Sequence, residues 1–240
     1  MSCGRASRHT TSHCARAYSG TIWRRAAHRY RVTVTALLAG VMAESIIAMQ
    51  DEERPRRRQR PVKITIPVDL RRLYGSETLR NFSLVLNLGV DPRYGGYTLE
   101  ELCRSISHQL GVSATRQNMA GMIAANVLSQ KLLPLRIAPV ALKNLVMDAL
   151  YRRSSESGGN INISNITNLA LPEVMLRHIE RMEFIIGPQR SYPNNCSVMS
   201  FGGTTYINMI RNTCESELER RFFSRLVELG IAVKIECNRR

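Results

Sequence analysis

Residues 61–82, PVKITIPVDLRRLYGSETLRNF, constrain what this chain can fold into more than any other stretch. Val62-Lys63-Ile64-Thr65-Ile66 alternates apolar with polar or β-branched residues, the period of a strand with one face on a core. Proline has no N–H to give a ladder, so Pro67 is expected to end that strand. Val68-Asp69-Leu70-Arg71 then carries an acid and a base out of the sheet. Residues 83–88 alternate again and predict a second strand, followed by a turn at Asp91-Pro92-Arg93-Tyr94-Gly95-Gly96.

Around these strands the sequence reads as helices and further strands. Residues 33–50 (TVTALLAGVMAESIIAMQ) predict a helix capped by Thr33 or Thr35, with Leu37, Leu38, Val41, Met42, Ile46 and Met49 on a wide apolar face. A membrane span is the competing reading, and Glu44 in the middle of the stretch favours a buried core helix instead. Thr98-Leu99-Glu100-Glu101 has the form of a capping box and opens a helix to about Lys131, with a break near Gly111. A helix over 140–153, a flexible loop over 154–159 and a strand over 160–165 follow. A short helix runs from Leu171 to His178, and residues 181–186 read as a strand. Residues 196–201 and 204–210 flank Gly202-Gly203 as a hairpin. Residues 215–229 are amphipathic, with Leu218, Phe222, Phe223, Leu226 and Leu229 inward and Gly230 as the stop. A last strand covers 231–235. The expected fold class is therefore α/β (α+β), a two-layer sandwich in which a mixed sheet is covered by helices.

The chain carries a net charge of +15 over 240 residues. Through Arg60, twelve arginines and no lysine stand against Glu44, Asp51, Glu52 and Glu53, so the first quarter supplies +8 of it. Such an excess suits nucleic acid, an anionic membrane or a phosphorylated ligand. Aromatics are few and no helix interleaves them with a basic face, so nucleic acid is set aside. Residues 1–29 are expected to be a basic, disordered tail or the product of a mis-assigned start, with the domain over 30–240; residues 22–30 within that tail have the spacing for two helical turns, with Ile22, Trp23, Ala26 and Ala27 on one side and His28 at the surface. The charged connector 51–60 (DEERPRRRQR) reads as an exposed loop. Six scattered cysteines without a C-x-x-C pair, and no leader ahead of them, point to reduced thiols in the cytoplasm. Cys3, His9, His13 and Cys14 match no zinc spacing, and no metal is expected.

Pro67-Val68-Asp69-Leu70-Arg71 resembles the Pro-Val-Asp-Leu-Arg segment of CoA-dependent acyltransferases of the chloramphenicol-acetyltransferase-like superfamily, which includes alcohol acetyltransferases and the condensation domains of peptide synthetases. Val32-Thr33-Val34-Thr35 resembles the helix start that precedes it there. Arg80-Asn81-Phe82, Pro139 with Lys143-Asn144, Ser164-Asn165, Leu171-Pro172, Tyr192-Pro193-Asn194-Asn195 and Glu219-Arg220-Arg221-Phe222-Phe223 follow in the family's order. No one of these is specific; their succession from about Tyr30 to Asn238 carries the resemblance, with bacterial alcohol acetyltransferase-like proteins the relatives it points to most directly. Thr167 stands where the family's Ser-Asn-Leu-Gly turn has glycine.

The resemblance implies one half of a two-lobed fold whose active site lies in a tunnel between the lobes. The family's His-His-x-x-x-Asp-Gly motif, source of the general base, belongs to the other half and is absent from this sequence. Arg71 matches the arginine that pairs with the Asp of that motif, and the alternatives for it are Asp69, Glu77 or solvent. Ser164 and Asn165 are the candidate tunnel-lining residues, against the plainer reading that they satisfy backbone groups at a strand end. No catalytic residue is expected in this chain, and His108 and His178 read as surface or core residues. The expectation is the C-terminal portion of an alcohol acetyltransferase-like O-acyltransferase, inactive alone. No cofactor would be bound. Acetyl-CoA would be the co-substrate of the full-length family, and acyl-CoA and a small alcohol or amine acceptor would be its ligands once an N-terminal half completes it. The alternative is a non-catalytic binding or regulatory module that associates with a catalytic half or with itself. A single half is expected to expose an apolar face.

Overall fold

The computed structural model describes residues 11–18, 20–131, 160–166, 171–187, 192–212 and 215–237, with single positions 140 and 144. In chain order the described elements of five residues or more are β1 (Thr11–Tyr18), α1 (Gly20–Arg29), α2 (Val34–Glu53), β2 (Val62–Asp69), α3 (Leu70–Tyr74), β3 (Ser83–Val90), α4 (Leu99–Ser113), α5 (Arg116–Lys131), β4 (Ile161–Ile166), β5 (Asn194–Phe201), β6 (Thr204–Arg211), α6 (Glu217–Glu228) and β7 (Val233–Cys237), and a single helical turn covers Glu173–Leu176. The seven strands form one sheet in the order β3-β2-β4-β5-β6-β1-β7. β2, β4 and β5 run parallel and the other neighbours antiparallel. The mixed α/β sheet expected from the sequence is the sheet found.

α2 is the centre of the helical layer. The Thr33 hydroxyl caps it, accepting from Ala36 N at 3.2 Å. Every residue from Ala36 to Ala43 is buried, so the helix is apolar all round rather than on one stripe. Among the described helices only α2 is long and apolar enough to cross a membrane, and half of it is enclosed by this fold. It touches α1, α4, α6 and β2. The approach to α4 is so close that a Cβ on Gly40 would collide with Cys103 Sγ and stand 3.2 Å from Cys103 Cα.

α6 lies against α2 through Leu218, Phe222, Phe223 and Leu226, the inward face read from the sequence. Arg225 pairs with Glu44 of α2 at 2.8 Å, and Arg221 with Glu52 at 2.6 Å. Each apolar side chain buried there contributes about 1.5–3 kcal/mol, against about 0–1 for an exposed ion pair. Burial therefore holds the helix and the ion pairs set its register.

Arg211, the last residue of β6, meets Glu219 of α6 at 2.7 Å with both side chains almost fully buried. The four members Glu219, Phe222, Phe223 and Leu226 share the inward face by their spacing. A carboxylate there signals a buried partner, and the sequence reading missed it.

Five expectations are corrected. The strand does not end at Pro67; it continues to Asp69, with Pro67 opposite Val85 of β3. β2 pairs with β4 only at Ile64↔Ile161 and Thr65↔Asn162, so beyond Thr65 nothing on that side asks proline for an N–H. Of the tail expected ahead of residue 30, residues 11–18 and 20–29 are built into the fold: β1 fills the gap between β6 and β7, and α1 buries Trp23 and Ala27. The two turns over 22–30 stand as read, and His28 is exposed. Residues 181–187 form no strand; they cross the sheet face opposite the helices. The stretch 51–60 is no loose loop: its first three residues end α2 and Arg56–Arg58 form a 3-10 turn. The face opposite the helices is mixed and not apolar throughout: amides and hydroxyls share it with Met199, Phe201, Tyr206 and Ile210. The expected helix over 140–153, the loop over 154–159 and Thr167 lie outside the described residues.

At the hairpin Gly202 and Gly203 both take positive φ, 56° and 78°, as the two-residue turn requires. β3 forms one edge of the sheet. At its end the Gln109 side chain of α4 receives Gly89 N at 3.0 Å and donates to Gly89 O at 2.8 Å.

The α2–α4 crossing yields a test. Gly40→Ala is expected to cost about 1–3 kcal/mol and lower the thermal midpoint by several degrees. Adding Cys103→Ala should recover part of that loss in a double-mutant cycle, because it removes the sulfur that the new methyl meets.

Candidate functional site

Strand alternation divides the sheet into two unlike faces. Toward the helices it turns Val62, Ile64, Ile66, Ile161, Ile163, Cys196, Val198, Ile207 and Met209, all buried in one apolar cluster. Toward the other side it turns amides and hydroxyls together with Met199, Phe201, Tyr206 and Ile210, which are buried outside that cluster. Register places Asn87, Thr65, Asn162 and Asn195 in one cross-strand row, and Ser164, Ser197 and Asn208 in another. The polar residues missed by the sequence reading, Ser197, Asn195 and Asn208, are the alternate positions of a hairpin whose intervening residues are apolar.

These groups are held in place. Ser197 Oγ donates to Phe184 O at 2.6 Å and Asn208 Nδ2 to the same carbonyl at 3.2 Å. Thr65 Oγ1 donates to Asn87 Oδ1 at 2.8 Å and lies 3.2 Å from the Tyr192 hydroxyl. Asn195 Oδ1 is buried with no hydrogen-bond partner among the described residues. A buried acceptor left without a donor costs about 1–3 kcal/mol. At the far end Arg181 lies over the Tyr206 ring, 5.6 Å from its centroid, and pairs with Glu183 and Glu236.

Ser164 and Asn165 are not brought together. Ser164 belongs to the polar face, whereas Asn165, one residue on, points into the helical layer and donates from Nδ2 to Thr35 Oγ1 at 3.1 Å. Asn165 thus ties the end of β4 to the first turn of α2. Pro67, Asp69 and Ser164 sit toward the carboxyl ends of the parallel strands β2 and β4, beyond the point where the two strands stop pairing. In open α/β sheets that end is where ligands bind.

Arg71 follows at the start of α3. Asp69 caps that helix, its Oδ1 accepting from Arg71 N at 3.0 Å and from Nη1 at 3.1 Å. The same guanidinium donates from Nε to Thr78 O at 2.8 Å and from Nη2 to Arg80 O at 2.6 Å. Of the partners considered from sequence, Asp69 is the one found, together with the carbonyls of Thr78 and Arg80. Arg71 folds residues 75–82 back onto the end of β2.

His108 and His178 are exposed, and no group of described residues could hold a metal ion. Cys196 and Cys103 lie in the helical layer; burial drives both thiols up to about 12, with the Glu44 carboxylate adding to the rise at Cys103. The raised value keeps each protonated through neutral pH, so neither is a nucleophile.

No family model matches the chain, and no curated protein matches it. Solved structures do. The chain is similar to the nonribosomal peptide synthetase FmoA3 in its AMPPNP-bound form, with 14% identity and a TM-score of 0.61 over 94% of this chain and 22% of that one. It is similar to the epimerization domain from the third module of tyrocidine synthetase B at 12% identity and a TM-score of 0.54, over 95% of this chain and 49% of that domain. It is also similar to the starter condensation domain of rhizomide synthetase RzmA at 13% identity and a TM-score of 0.50, covering 95% and 47%. The fold is therefore that of one half of a condensation domain, and the chain spans about half the length of the two single domains.

Two measurements check this geometry. Arg71→Ala should lower stability by about 1–2 kcal/mol, since a one-third-exposed guanidinium loses two carbonyl contacts and one carboxylate, and Arg71→Lys should restore little because one ammonium cannot span them. In peptide mapping after alkylation at mildly alkaline pH, the exposed Cys237 should be labelled while Cys103 and Cys196 stay unmodified until the chain is denatured.

Proposed function

We propose that this chain is the C-terminal half of a CoA-dependent O-acyltransferase of the alcohol acetyltransferase-like type, and that it supplies a wall of the substrate tunnel but not the general base. The observation that carries this reading is a hydrogen-bonding row of amides and hydroxyls on the sheet face away from the described helical layer, with Asn195 Oδ1 in it, on a chain that folds as half of a condensation domain. Serine and asparagine side chains on such a face can hold the amides of a pantetheine arm or orient an acyl carbonyl without titrating. Proton abstraction from a small alcohol or amine acceptor would fall to a histidine supplied by an N-terminal half. Acetyl-CoA would enter as co-substrate, with no resident cofactor. The buried thiols of Cys103 and Cys196 suit a reducing compartment, the cytoplasm.

Release of the CoA thiol tests the reading. The purified chain, given acetyl-CoA and a simple alcohol, should show no turnover above buffer. Joined to an N-terminal half that bears His-His-x-x-x-Asp-Gly, it should turn over, and Ser164→Ala should lower that rate without lowering stability. Clear turnover by the chain alone would overturn the assignment of the general base to another half.

A second reading rests on Arg71. Its guanidinium already has a carboxylate and two carbonyls, so this half satisfies internally what the family's arginine would offer across the tunnel. A binding module that assembles with a catalytic half or with itself would need no more. Sedimentation showing a complex of fixed stoichiometry favours it; a strict monomer that binds nothing excludes it.

A further inference from the structure

The arginine-rich stretch between α2 and β2 is built to a definite shape. Arg58 N donates to Pro55 O at 2.8 Å and Gln59 N to Arg56 O at 3.0 Å, closing the 3-10 turn Arg56–Arg58. Two clips pin it to the end of α2. The buried Gln59 donates from Nε2 to Asp51 Oδ1 at 2.6 Å, and the Gln50 amide exchanges two bonds with the Arg60 backbone, at 2.7 and 3.1 Å. Arg56, Arg57, Arg58 and Arg60 are all exposed, and none has an ion-pair partner among the described residues. The nearby acids are committed elsewhere: Asp51 to Gln59, Glu52 to Arg221 and Glu53 to Arg54.

The turn rests against a second one, Pro92–Tyr94, with Arg56 reaching to Gly96 and Tyr94 almost fully exposed. Arg93 there is spent on Asp91 at 2.5 Å. Four unpaired guanidiniums within five residues, on a backbone already fixed, beside an exposed tyrosine, have the composition of a protein–protein contact, which is enriched in arginine and tyrosine. Arg60 borders a cavity that it shares with Glu53, Glu215 and Glu217, whose carboxylates disfavour a small anion there. A single exposed ring provides no stacking platform for a strand of nucleic acid. We infer that the Arg56–Arg60 turn with Tyr94 is a docking surface for another protein that presents a cluster of carboxylates.

The test uses the whole chain and a fluorescein-labelled oligoglutamate peptide as probe, read by anisotropy at low and at physiological salt. Wild type should bind with an affinity that falls as salt rises. Replacing Arg56, Arg57, Arg58 and Arg60 by glutamine should weaken binding roughly tenfold or more. Replacing Arg24, Arg25, Arg29 and Arg72 instead, also exposed, removes the same charge and should change it little. Equal losses in the two variants would show diffuse attraction by net charge and overturn the site. Tighter binding of a single-stranded oligonucleotide of equal charge, lost in the turn variant, would overturn the acidic protein as occupant. Should the fourfold variant melt earlier than wild type, the single reversal Arg57→Glu decides in its place. The readout is binding of a peptide and not acyl transfer, so it stands or falls apart from the proposed function.

Discussion

A helix with no polar side has to be enclosed, and α2 sets that requirement for everything around it. Between Ala36 and Ala43 it offers neighbours only apolar surface, and α1, α4, α6 and β2 each take part of the circumference. Gly40 lets α4 come to van der Waals distance, and Thr33 and Asn165 fix where the first turn lies against the sheet. Glu44, the one charge in the middle of α2, reaches the surface far enough to hold Arg225. The helix is thus a core element by the same composition that would suit a bilayer, and the ion pair distinguishes the two settings.

The sheet answers that helical layer with one face only. Its other face carries amides and hydroxyls in register across four strands, joined to one another, to the Phe184 carbonyl and to Tyr192, with Met199, Phe201, Tyr206 and Ile210 beside them. Such a surface is neither a second core nor a plain solvated exterior, because Ser197, Asn195 and Asn208 are buried on it. The tie from Arg211 to Glu219 belongs to the opposite layer, where its charges have no water to turn to, and breaking it by removing one partner would cost far more than the pair contributes intact.

Much of the fold was legible because most elements announce themselves locally. The capping box at Thr98, the glycine pair at 202–203 and the stripe of Leu218, Phe222 and Leu226 each follow from short-range chemistry. What stayed hidden depends on neighbours far along the chain. Pro67 remains in a strand because β4 has already turned away; β1 is a strand because β6 and β7 leave a place between them; Asn165 faces a helix 130 residues earlier. Of the site, Ser164 was legible only through the resemblance of Ser164-Asn165 to a family turn, which did not separate it from Asn165 on the other face. Its companions Ser197 and Asn208 were not, since only the register of three strands brings them to one level.

The amide of Gln109 gives the outer strand a stop. By meeting both the N–H and the carbonyl of Gly89, it does for one residue what a neighbouring strand would do, and it does so with a side chain anchored on α4. A foreign segment sliding along β3 therefore finds its last rung taken and cannot extend the ladder past it. Natural sheets often protect an outer edge with charge, proline or a bulge. SLVLNLGV has none of these, and here the protection is supplied by a helix reaching over to close the register.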